Sequence, residues 1–76
     1  MADTDETIAE RLGIPDRIEF RGYEYTMHSI HRPDGFLPHI DNPEDNARIE
    51  AGHIRYDGWR ACVKQHDEWT WVVYWR

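Results

Sequence analysis

The last eleven residues, HDEWTWVVYWR, place Trp69, Trp71, Val73 and Trp75 at alternate positions. Successive side chains on a strand point to opposite faces, so this spacing sends three indoles and a valine to one side of a sheet. In a chain of 76 residues, folding buries only about 60% of the surface that the unfolded chain exposes. Such a stripe is either the core that a small domain needs or a platform on which flat ligands stack.

Turn chemistry around the stripe favours the core. Asp57-Gly58 is a type I′ hairpin signal that pairs Tyr56 with Trp59 and Ile54 with Ala61. A three-residue connection at His66, Asp67 and Glu68 then pairs Val63 with Trp71, Ala61 with Val73 and Trp59 with Trp75. One face collects Ile54, Tyr56, Trp59, Ala61, Val63, Trp69, Trp71, Val73 and Trp75. The other collects His53, Arg55, Arg60, Cys62, Lys64, Thr70, Val72, Tyr74 and Arg76. When turns and parity agree in this way, the apolar face is the buried one, with Trp69 and Trp75 at the strand ends partly exposed.

Upstream, TDETIAERLGIP predicts a helix over Thr4 to Leu12, with acids in its first turn and Gly13 and Pro15 as the stop. Ile14 closes a Schellman-type contact, and Ile8, Leu12 and Ile14 are expected to lie across the tryptophans. IAERLGI also reads like the first helix of a DNA-binding helix-turn-helix, but DRIEFRGYEYTM alternates like strand where the second helix should begin. A two-residue turn or a bulge at Arg21-Gly22 puts Ile18, Phe20, Tyr23, Tyr25 and Met27 on one face. Ser29 to Asn46, with Pro33, Pro38, Pro43 and Asp34-Gly35, reads as a long surface loop. It leads into a short helix capped by Asn42, begun by Pro43 and ended by Gly52. The expected fold is α+β in one domain: an N-terminal helix packed on a mostly antiparallel sheet of about five short strands, with a long Pro-containing loop and a short second helix.

Composition bounds the function. Fifteen acids against nine bases give a formal charge of −6, which repels phosphate backbones over the molecule as a whole. A single cysteine, an acidic start unlike a signal peptide and the lack of an apolar run near the ~20 residues of a membrane span predict a soluble cytoplasmic protein, monomeric or weakly dimeric.

No motif names a reaction. His28, His31, His39 and Asp41 are of the right type for zinc, but a spacing of three on a strand sends His28 and His31 to opposite faces, and no cysteine pair supports them. No metal or cofactor is expected. Cys62 has Arg60 and Lys64 beside it to lower its pKa, yet no base or oxyanion hole is legible. The domain is therefore read as a binder and not an enzyme.

Two binding surfaces compete. Acids gather at Asp5, Glu6 and Glu10, and again at Asp41, Glu44 and Asp45. Beyond their service to helix N-termini, they can present carboxylates to a protein with a basic surface and so occlude a groove meant for nucleic acid. Phage-encoded inhibitors such as anti-CRISPR proteins are small and acidic in the same way, a likeness of class and not of sequence. The alternative is a nucleic-acid face made of Arg55, Arg60, Lys64, Tyr74 and Arg76 on the outer side of the sheet. A histidine-based metal loop ranks third.

Overall fold

The computed structural model describes residues 5–33 and 42–76, with Asp5 described for its backbone alone. The elements run α1 (Asp5–Leu12), β1 (Arg17–Phe20), β2 (Tyr23–His31), α2 (Pro43–Tyr56), β3 (Ala61–Asp67) and β4 (Thr70–Trp75). The strands form one antiparallel sheet in the order β1-β2-β4-β3. The class is α+β as predicted, with four strands among the described residues where the sequence suggested about five. No helix among them is long and apolar enough to cross a membrane.

The strand expected at His53 to Tyr56 is the last turn of α2. Asn42 caps that helix as predicted: its side chain accepts hydrogen bonds from the Glu44 and Asp45 backbone N–H groups at 3.0 and 3.2 Å. The helix continues past Gly52 because Pro43, Ala47, Ala51 and Ile54 recur along one buried face. That burial outweighs the cost of about 1 kcal/mol for a mid-helix glycine. The helix ends instead at Asp57-Gly58. Gly58 has φ +93°, its N–H donates to Arg55 O at 3.0 Å, and the Trp59 N–H donates to Ile54 O at 3.1 Å. This is a Schellman motif, which requires the same left-handed glycine as a type I′ hairpin.

The other turns follow the sequence more closely. α1 stops at Gly13 (φ +74°), and the Ile14 N–H donates to Ala9 O at 2.8 Å. Arg21 and Gly22, with φ +52° and +84°, make a two-residue turn that sets Phe20 opposite Tyr23 and Ile18 opposite Tyr25. Between β3 and β4 the turn is Glu68-Trp69, closed by the Trp69 N–H donating to Asp67 Oδ1 at 2.8 Å. That bond, with nearby positive charge helping against some desolvation, holds the Asp67 carboxyl below its ordinary range. The pairing is Ala61 with Trp75 and Val63 with Val73, two residues away from the predicted register. A slip of two keeps the β3 and β4 side chains on their predicted faces and puts Trp69 in the turn, 58% exposed, while Tyr56, predicted on the buried face, belongs to α2 and is 92% exposed.

Each face of the sheet carries its own core. Val73, Trp71, Trp75, Ala61 and Val63 pack with Ala47, Ala51 and Ile54 of α2. Tyr25, Cys62, Val72 and Tyr74 pack with Ala9 and Ile14, joined by Leu12, Ile18, Phe20, Met27 and Ile30. Trp71 and Trp75 of the stripe are thus structural, but α2 covers them, while α1 lies on the opposite face that the sequence left to solvent. The alanines let α2 approach closely enough for this. The long loop is also shorter than expected, since β2 runs to His31 and α2 begins at Pro43; residues 34–41 lie outside the described residues.

On the α1 face Cys62 stands opposite Tyr74, whose hydroxyl donates to Pro15 O at 2.7 Å. Burial pushes the Cys62 thiol up, with the Lys64 and Arg55 charges pulling it partly back. Burial also pushes the Tyr74 phenol up, reinforced by Cys62 and Asp16. Both groups stay neutral in the fold at a pH where the unfolded chain ionises, near 9.0 for the thiol and 10.0 for the phenol. Their stabilising contribution is therefore complete below about pH 9 and is lost as pH rises through the folded values. Urea midpoints should be level to about pH 8.5 and fall above about pH 9, less steeply in Cys62→Ala. A flat alkaline profile would contradict this.

Candidate functional site

Three segments meet at one end of the sheet. Thr26 pairs with Trp75, so Tyr23 to Tyr25 and the Arg21-Gly22 turn overhang the end of β4. Arg60 and Arg76 exchange both backbone hydrogen bonds at 3.0 Å, which sets them directly opposite each other ahead of β3. The Gly58-Trp59 exit from α2 closes the third side. Together they wall an open cleft of about 760 Å³ lined by Arg21, Arg55, Arg60 and Arg76, by Phe20, Tyr23, Tyr25 and Trp59, and by Gly58, Ala61, Cys62 and Val63.

Among the described residues the lining contains four arginines and no acid, in a chain where acids outnumber bases fifteen to nine. Cations and rings interleave. The Arg76 guanidinium lies 3.7 Å from the Tyr23 ring centroid and 5.9 Å from that of Tyr25. Arg21 lies 5.2 Å from the Phe20 centroid, and Lys64 Nζ, beside the cleft, 4.6 Å from it. Phe20 and Lys64 sit on opposite edge strands, so both reach across the same face. Arg55 donates from Nη2 to Ala61 O at 2.8 Å, which fixes its position.

Arg60 opposite Arg76 is a costly arrangement for folding alone. Like charges directly across an antiparallel pair destabilise by a few tenths to about 1 kcal/mol, part of which the cation–π contact of Arg76 offsets. An anion bridging the two would turn the cost into binding energy.

Of the predicted basic face, Arg60, Lys64 and Arg76 share a side as expected. Arg55 belongs to α2, not to a strand opposite Arg60, and reaches the cleft from the other side of the sheet. Tyr74 is 2% exposed and cannot touch a ligand. Phe20, Arg21, Tyr23, Tyr25 and Trp59 complete the site and were not picked out from the sequence, although the run FRGYEY interleaves rings with an arginine.

The predicted acidic surface is divided. Glu6 and Glu10 are exposed on α1, and Asp5 begins that helix. Glu44 and Asp45 belong to α2 on the opposite face, where Glu44 pairs with Arg48 at 2.8 Å. Asp41 lies outside the described residues.

The histidines require one correction. An extra residue in β2 between Met27 and Ser29 shifts the ladder, so His28 and His31 share the α2 face instead of opposing each other. Ser29 Oγ lies 3.2 Å from His28 Nδ1 and 2.9 Å from His31 Nε2. His28 also meets Glu50 at 3.8 Å and the edge of Trp75 at 4.6 Å between ring centroids. Among the described residues no three of His, Cys, Asp and Glu come together to hold a metal ion, and His39 lies outside them.

No family model matches this chain, and no curated protein or solved structure does either.

Proposed function

We propose that this is a non-catalytic cytoplasmic domain that binds nucleic acid in the cleft between the β1–β2 hairpin and the start of β3. Of the two surfaces the sequence offers, the geometry favours the basic one. The observation that carries this is the concentration of four arginines and four aromatic rings, with no acid among the described residues, in one cleft of a strongly acidic chain. Guanidinium groups bind phosphate in a fixed fork, and rings accept the faces of bases. The net charge of −6 opposes approach from a distance, but charges are screened over about 8 Å at physiological salt, so the local cluster governs the contact.

An inhibitor that offers its acids to a basic protein is the second reading, carried by the exposed Glu6 and Glu10 on α1. In the nucleic-acid reading those two acids are dispensable.

The test is fluorescence anisotropy of a labelled oligonucleotide across a salt series. With three phosphates engaged, affinity should fall about 20- to 40-fold between about 50 and 200 mM salt. Absence of binding at the lowest salt, or binding indifferent to salt, would refute the proposal.

A further inference from the structure

We infer that the cleft takes a single strand and not a duplex, with Trp59 and Tyr23 stacking on unpaired bases and the arginines holding the phosphates between them. This rests on the nucleic-acid reading above and narrows it to a substrate class.

The two rings flank the cleft from different elements and remain open. Tyr23 is 53% exposed on the hairpin, and Trp59 is 54% exposed after α2. The exposure of Trp59 is unusual for its position. Both helices end in the same motif, and the residue after its left-handed glycine ordinarily packs back on the helix. Ile14 does so after α1 and is 6% exposed. Trp59 occupies the equivalent place after α2, with its N–H bonded to Ile54 O, yet half of it faces water. Its ring is supported by Trp75, at 5.4 Å between centroids and 47° between planes, so it is held in position rather than loose. On the hairpin side, the Arg76 guanidinium at 3.7 Å from Tyr23 adds a second planar surface with a charge.

Rings of this kind reward a ligand only if base faces can reach them. In a duplex the faces are stacked on one another, and the outside presents phosphates and groove edges. Unpaired bases can turn outward onto aromatic and guanidinium planes, whereas charge alone would accept either form.

The experiment compares a short mixed-sequence oligodeoxynucleotide with its blunt duplex, both titrated with the full chain. The single strand should bind at least about tenfold tighter. Trp59→Ala should weaken single-strand binding about tenfold with the salt slope unchanged, because stacking releases no counterions, and Trp59→Phe should restore most of it. Tyr23→Ala supplies a second variant if Trp59→Ala folds poorly. Equal affinity for both forms, with both ring variants silent, would overturn the inference and leave nucleic-acid binding standing. Equal displacement by heparin, a polyanion without bases, would overturn it in the same way. If neither oligonucleotide binds at low salt, this inference and the proposed function fail together.

Discussion

Val73→Asp is expected to abolish folding at 25 °C. Val73 is fully buried, paired with Val63 on one side and Ser29 on the other, and packed in the core that contains Ala47 and Ala51. A carboxylate there would sit among alanine, valine, isoleucine and tryptophan side chains. Leaving a charge unpaired in such a place costs several kcal/mol, while a domain of this size has roughly 5 kcal/mol in total. Circular dichroism should show no cooperative transition. Val73→Ala, which removes two methyl groups without adding charge, should stay folded and lose about 1 to 3 kcal/mol in urea unfolding. A folded aspartate variant would mean that α2 does not seal this face.

The second large effect separates function from stability. Arg60→Glu should weaken oligonucleotide binding about 10- to 100-fold, because one charged hydrogen-bond donor is lost and Arg76 becomes paired with the new carboxylate. The same change replaces a like-charge pair with an opposite-charge pair directly across the strands, which favours the fold by about 0.2 to 1 kcal/mol. The variant should therefore melt at or above the wild-type temperature while binding poorly. Unimpaired binding would remove the cleft from consideration. A lower melting temperature would mean that the two arginines do not repel as their placement requires.

The parts of this fold legible in the sequence are those decided within a few residues. Gly13 with Ile14, Asn42 with Pro43, and Arg21-Gly22 each act through neighbouring backbone, and each does what its local chemistry predicts. Alternation from Trp59 to Arg76 assigned the faces correctly for the same reason. Asp57-Gly58 misled because a hairpin and a helix end ask the same left-handed conformation of glycine. Only the recurrence of Ala47, Ala51 and Ile54 at helical spacing distinguishes them, and alanine gives a faint hydrophobic signal. Which helix covers which face is a matter of tertiary packing that parity does not encode. The same holds for the extra residue at His28, which reversed the expected placement of the histidines. The cleft was half visible: Arg60, Lys64 and Arg76 could be grouped by parity, but Arg21 and Tyr23 join them because a hairpin overhangs the end of a strand about 50 residues later, and Trp59 because α2 ends beside it.

The strand order has a consequence for how the molecule comes together. β4 is the last strand in the chain and lies inside the sheet, between β2 and β3, which share no ladder with each other. The β1–β2 hairpin closes through Arg21-Gly22 and the β3–β4 hairpin through Glu68-Trp69, so each is a local unit with an edge that awaits the other. Joining them pairs β2 with β4 across about 40 to 50 residues, a closure whose entropy must be met before those contacts form. The β2–β4 ladder is the seam between the two hairpins. A β2 edge exposed before that seam closes would accept the β4 of another copy by the same ladder.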